Sequence, residues 1–160
     1  MTVTTIKAKT VEIDIGPTGF IIYAEDFLNS FKAYRSKKSF SPAKYYLVCR
    51  SIELSLKSFL SIKNIAISTI KKELSHDLIK ILNRTQELDI KDIIEISKEE
   101  EMEIKKANDW YNRKGFEYFD IKNIVENKET LPNLNSLQLL SERLIEILKP
   151  LCLKSAQKQR

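Results

Sequence analysis

The chain has 160 residues, 42% of them hydrophobic and 31% charged, with a formal net charge of +5. That length supports one domain with its own core, without disulfides or a structural metal. Three glycines and four prolines are too few for the turns of an all-β protein, and a mildly basic chain permits an acidic partner such as RNA without requiring one.

The first segment alternates. Val11 to Ile15 reads VEIDI, apolar and acidic in turn, the period of a half-buried strand. Gly16-Pro17 closes it. Residues 1–17 are therefore read as an N-terminal arm, with a short strand that must pair with another, or as a frayed terminus. GFEYFDI (115–121) is the β-prone partner on offer. The opening MTVTTIKAK lacks the apolar centre of a signal peptide, and no apolar run is long enough to span a bilayer. A cytoplasmic protein away from membranes is the expectation.

From Thr18 the pattern becomes helical. Phe20, Tyr23, Ala24, Phe27, Leu28 and Phe31 recur at spacings of three and four, which predicts a helix ending near Tyr34, before the basic run RSKK. Ser41-Pro42 opens a second helix, with a capping serine and a proline in the first turn, running to about Lys63. Tyr45, Cys49, Ile52, Leu56, Phe59 and Leu60 form a broad apolar face, Leu47 and Leu54 lie opposite, and Ser51, Ser55 and Ser58 run between. Such a helix is buried nearly all round and should be central.

A third helix starts near Ser75-His76-Asp77, after a linker that holds Lys71 and Lys72, or as early as Ser68; Ser75 reads as cap and Asp77 as part of the first turn, and the helix buries Leu78, Ile81, Leu82, Thr85 and Leu88. Residues 91–113 read as an outer helix with a thin stripe of Ile93, Ile94, Ile104, Ala107 and Tyr111. Its run KEEEMEIKK reads as a solvated face. Residues 115–130 read as irregular. The last helix, capped by Asn133 or Asn135, carries Leu137, Leu140, Leu144, Ile147, Leu148 and Leu151. The bundle thus covers 18–152, and the basic tail 153–160 is expected to be disordered. The fold class is all-α, an up-down bundle of four to five helices.

Chemistry is scarce. Cys49 and Cys152 fall among apolar neighbours and read as buried thiols. With one histidine and two distant cysteines a Cys/His zinc site is not expected, and no phosphate-binding glycine loop or hydrolase motif occurs, so neither metal nor cofactor is expected. The exception is Glu53, inside the apolar arc of the second helix, with Arg50 three residues before it and Lys57 four after. Both reach it along the helix, and that pairing is what permits a carboxylate there. It is a register-fixing ion pair, or the floor of a polar pocket or dimer contact. WYNRKGFEYF offers Trp110 and Tyr111 beside Arg113 and Lys114, a set that can stack on and pair with a nucleic-acid strand, or simply cap the bundle.

In order, AKYYLVCRSIELSLKSFL, ELSHDLIKIL, NDWYNRKGFEYF and LPNLNSLQLLSERLIEIL resemble the HEPN domains of prokaryotes, over about residues 41–150. The resemblance implies a helical bundle, usually a homodimer, working in RNA metabolism, toxin–antitoxin pairs or phage defence. Some members pair with a nucleotidyltransferase. Its nucleases cleave RNA without metal, using an Arg followed by four to six residues and a His. Here the residues at those distances before His76 are Lys71, Ile70 and Thr69, and none is Arg. Lys71 brings charge but not the planar two-pronged contact of guanidinium. The catalytic roles are therefore not carried over, and His76 reads first as structural, bonded to a helix end or to Asp77. Three functions compete: a non-catalytic dimerising module for a protein partner, RNA or a nucleotide; an atypical metal-independent ribonuclease using His76 and Lys71; and a structural or regulatory protein without ligand. The first is expected, with Arg50, Glu53, Lys57, His76, Asp77, Trp110, Tyr111, Arg113 and Lys114 as its polar cluster.

Overall fold

The computed structural model describes residues 16–37, 40–118 and 131–158. Five helices carry the fold: α1 (Pro17–Ala33), α2 (Pro42–Ile62), α3 (Leu78–Glu87), α4 (Lys98–Tyr111) and α5 (Leu134–Lys158). Among the described residues there is no strand. The alternating segment at 11–15 lies outside them, as do residues 119–121 of its proposed partner. Residues 115–118 form turns instead of extended chain.

α2 is the hub, as its pattern demands. It packs on α1, α3, α4 and α5, and from Val48 to Leu60 only Arg50 reaches solvent appreciably. A helix enclosed on every side must satisfy its polar side chains internally. Ser51 Oγ donates to the Ala24 carbonyl of α1 at 2.7 Å and shares a hydrogen bond with Ser141 of α5 at 2.7 Å. Ser55 and Ser58 turn back onto carbonyls one turn earlier. The small residues thus let three helix backbones meet. Ser41 caps the helix, accepting from the Lys44 amide at 3.4 Å, ahead of Pro42. On α1, Ile21 is fully buried whereas Tyr23 is exposed, because the helix meets both α2 and α5 and its buried arc is turned toward Ile21.

After α2 the chain makes a short helical run, Ile67–Thr69, and a π turn, Ile70–Leu74, which drops Ile70 and Leu74 into the core. Ser75 follows in a strained conformation, φ 47° and ψ −119°. Ser75 therefore does not cap α3. That role belongs to Asp77, whose carboxylate accepts from the Ile79 and Lys80 amides at 3.1 and 3.0 Å. Asn108 of α4 accepts the Leu78 amide at 2.7 Å and ties the two helices together.

The predicted helix over 91–113 is divided. A single 3₁₀ turn, Ile90–Asp92, comes first, and α4 starts only at Lys98. The cause is a capping box. Ser97 accepts the Glu100 amide at 3.2 Å while the Glu100 carboxylate accepts the Ser97 amide at 2.9 Å. Ser97→Ala should cost about 1 kcal/mol, read as a lowered urea midpoint at unchanged slope. Asn133 caps α5, accepting from the Asn135 and Ser136 amides at 3.0 Å each. α5 then continues to Lys158, past the boundary at 152 where a disordered tail was expected. Cys152 anchors this last stretch in the core, and Pro150 is accommodated on an exposed face.

Candidate functional site

Arg50, Glu53 and Lys57 stand one helical turn apart on α2. Glu53 has no solvent exposure. Its Oε1 accepts from Arg50 Nη1 at 2.8 Å and Lys57 Nζ at 2.6 Å. Its Oε2 accepts the Tyr111 hydroxyl of α4 at 2.6 Å. Lys57, itself buried, also donates to the Ser75 carbonyl. The strained turn is thereby pinned to α2, and the next residue, His76, is carried to the same carboxylate. His76 Nδ1 lies 3.1 and 3.2 Å from the two oxygens of Glu53 and 2.9 Å from Arg50 Nη1.

The electrostatics follow from these distances. Burial is the largest influence on Glu53 and works against its charge, but the charges of Lys57 and Arg50, with hydrogen bonds from Lys57 and Tyr111, outweigh it and hold the carboxyl below its usual value. Burial, then the adjacent carboxylate, pushes the Tyr111 phenol far above its usual range, so Tyr111 remains a donor. Burial also opposes the charge of Arg50, but Glu53 and Tyr111 more than restore it. Cys49 is driven upward by burial and then by Glu53, which leaves it an inert thiol. At His76 a proton on Nδ1 serves Glu53 and opposes Arg50, whereas a lone pair there does the reverse. Every one of these contacts uses Nδ1, so Nε2 is the nitrogen left for a ligand.

Above the cluster lies a cavity of about 400 Å³, walled by Arg50, His76, Tyr46 and Tyr111 and rimmed by Ser75, Asn112, Lys114 and Glu117. Tyr46 packs on Tyr111 at 5.9 Å between ring centres. Lys114, at the rim, adopts a left-handed conformation, φ 59°, in the turn that follows α4. The turn closes with the Gly115 amide donating to the Trp110 carbonyl at 2.7 Å. A Cβ at Gly115 would stand 3.0 Å from that oxygen, tighter than side chains usually pack, so glycine suits the close approach.

Of the predicted cluster, Arg50, Glu53, Lys57, His76 and Tyr111 come together, with Lys114 at the rim. Asp77 is occupied as a helix cap and does not bond to His76. Trp110 is buried against Phe116, rings 5.9 Å apart and 11° from parallel, which makes it part of the bundle's cap. Arg113 and Lys71 are exposed and do not line the cavity. Tyr46, Asn112 and Glu117 escaped the sequence reading. Tyr46 was within reach of it, four residues before Arg50 on the same helix face.

Among the described residues no group of three or more His, Cys, Asp and Glu is placed to hold a metal ion. Nor, among them, is any helix long and apolar enough to cross a membrane. In comparisons with known proteins, no family model, no curated protein and no solved structure matches this chain.

Proposed function

We propose that the chain is a HEPN-like, dimerising module without catalysis of its own, which binds RNA or a nucleotide in the Arg50–His76 cavity. The all-helical bundle around α2 is compatible with that reading. One observation carries the ligand: Lys57 shares the buried Glu53 carboxylate from below, so Arg50 is only partly neutralised where it walls the cavity, and Lys114 stands at the rim with Glu117 as the one carboxylate of the lining. The cavity they face is of nucleotide size. Arg50 turns Nη1 to Glu53 and to His76 Nδ1, and the other N–H groups of its guanidinium suit a phosphate. A nucleotidyltransferase or other protein partner belongs to the same proposal.

A second reading, metal-independent ribonuclease, is favoured by the 2.9 Å approach of Arg50 Nη1 to His76 Nδ1. Arg50 is absent from the expected spacing before His76, yet the fold brings it there. With Glu53 behind Nδ1, Nε2 is available to take a hydroxyl proton, and Arg50 to stabilise charge on phosphate.

The test is incubation with mixed RNA in EDTA at low and moderate salt, beside His76→Ala. Half-exposed His76 can be removed without unfolding the bundle. Retardation without cleavage, weakened by salt and about tenfold by the substitution, is the expected result. Cleavage that vanishes in His76→Ala establishes the second reading. Absence of both effects removes nucleic acid from consideration.

A further inference from the structure

Two sides of the Arg50–His76 cavity differ in kind. One side is polar, with Ser75, Asn112, Lys114 and Glu117. The side toward α1 is aromatic. Tyr46 lines the cavity and meets Phe27 of α1 edge to face, with ring centres 6.5 Å apart at 76°. The Arg50 guanidinium lies 5.9 Å from the centre of the Phe27 ring, while its Nη1 is 2.9 Å from His76 Nδ1. Arg50 therefore spans from the cavity to α1. One turn before Phe27, on the same face of α1, stands Tyr23, 59% exposed. Phe27 and Tyr46 are each partly exposed, so these rings mark a stripe at the surface that leads out of the cavity. Among the described residues the Tyr23 side chain makes no hydrogen bond or ring contact, so its face is open. Charge sorts a ligand along the stripe. Phosphate belongs with Arg50, His76 Nε2 and Lys114. On α1, Glu25 is turned to Lys149 at 2.6 Å, but Asp26 is exposed three residues from Tyr23. That carboxylate repels a second phosphate there and leaves the place to an uncharged ring.

We infer that Tyr23, with Tyr46 and Phe27 leading to it, is a base-stacking platform, and that the ligand of the cavity carries an unpaired nucleobase next to its phosphate. The inference rests on the reading of the cavity as a site for RNA or a nucleotide, and deepens it by naming the class of ligand. Bare phosphate and sugar phosphates have no ring to stack. Base-paired RNA has its base faces covered by its own neighbours. Every base has a π-face, so the platform is sequence-tolerant. An open aromatic face beside an Arg is the usual resting place of an unstacked base. A free nucleotide and an unpaired stretch of RNA share this chemistry.

The experiment measures binding of AMP, of ribose 5-phosphate and of a fluorescent RNA of about ten nucleotides, single-stranded or annealed to its complement, to the full chain, Tyr23→Ala and Tyr23→Trp. Tyr23 lies outside the core, and circular dichroism checks that the helices persist. The parent should bind AMP about tenfold more tightly than ribose 5-phosphate. Tyr23→Ala should lose that factor for AMP and leave ribose 5-phosphate unchanged. Tyr23→Trp should keep it, which a packing role for Tyr23 would not produce. If the source is a strand, the single-stranded RNA loses the same factor in Tyr23→Ala; if it is the free nucleotide, the RNA does not compete with AMP. Equal affinity of the parent for AMP and ribose 5-phosphate, or unchanged AMP affinity in Tyr23→Ala, overturns the platform and leaves the cavity reading standing. A duplex that binds as well as the single strand overturns it too. Failure of the parent to bind any of these probes overturns both.

Discussion

Glu53→Ala should destabilise the protein by about 3–5 kcal/mol, the usual cost of removing one partner from a buried charged group. Three donors lose their shared acceptor at once. Arg50 is 24% exposed and can turn toward water, but Lys57 is 7% exposed and Tyr111 is buried. In a domain of this size the melting temperature should fall by about 10 °C. Glu53→Gln should lie between, since an amide oxygen still receives Tyr111 while the charge is lost. The same pair gives a pH test. The folded carboxyl is held below its ordinary 4.5, so on acidification the unfolded chain takes the proton first. The stability contributed by Glu53 is therefore complete above that value and is lost as pH falls below it. Denaturant titrations between pH 7 and 3 should show Glu53→Gln losing less stability with acid than the parent. Equal stabilities for Glu53→Ala and parent at neutral pH would mean that the carboxylate contributes nothing.

The second large effect belongs to Lys57. Its ammonium holds both Glu53 and the Ser75 carbonyl, so Lys57→Met strips a buried carboxylate of one cation and leaves a strained turn untied. A loss of about 3 kcal/mol is expected. Glu53→Leu/Lys57→Met removes both charges and should recover much of it, because a well-packed apolar pair has no charge to desolvate. The double-mutant cycle should give a coupling of about 2–3 kcal/mol. A coupling near zero would show that the two side chains are neighbours without being partners.

Much of this was legible before the structure, and the reason is local. Arg50, Glu53 and Lys57 share one helix, so their spacing alone places them together. The apolar surround of Glu53 follows from the same wheel. Ser41-Pro42 and Asn133 announced helix starts with chemistry that needs no tertiary context. The capping box that begins α4 was equally available, as Ser97 with Glu100 three residues on, but the apolar Ile93 and Ile94 drew the helix too far back. Nothing local could bring in Tyr111, 58 residues from Glu53, or His76, 23 residues away. Their arrival depends on how α4 packs and on a π turn that no periodicity announces. The spacing rule that disfavoured His76 measured distance along the chain, whereas Arg50 comes to it through space. Asp77 was misplaced by one role and Ser75 by another, because two good capping residues two apart leave the choice to tertiary strain.

The near-total enclosure of α2 has a consequence for inheritance. From Val48 to Leu60 the residues that build the cavity floor are the same residues that hold the bundle together. Alleles at the enclosed positions of this stretch should not lose the proposed binding while keeping protein abundance, since the altered chain would unfold and be cleared. Tyr46, Arg50, His76 and Lys114, which are half-buried or exposed, stand outside that constraint. A saturation library scored for both abundance and binding should therefore divide. Changes at the enclosed positions of α2 would depress the two scores together, and changes at the cavity wall and rim would separate them.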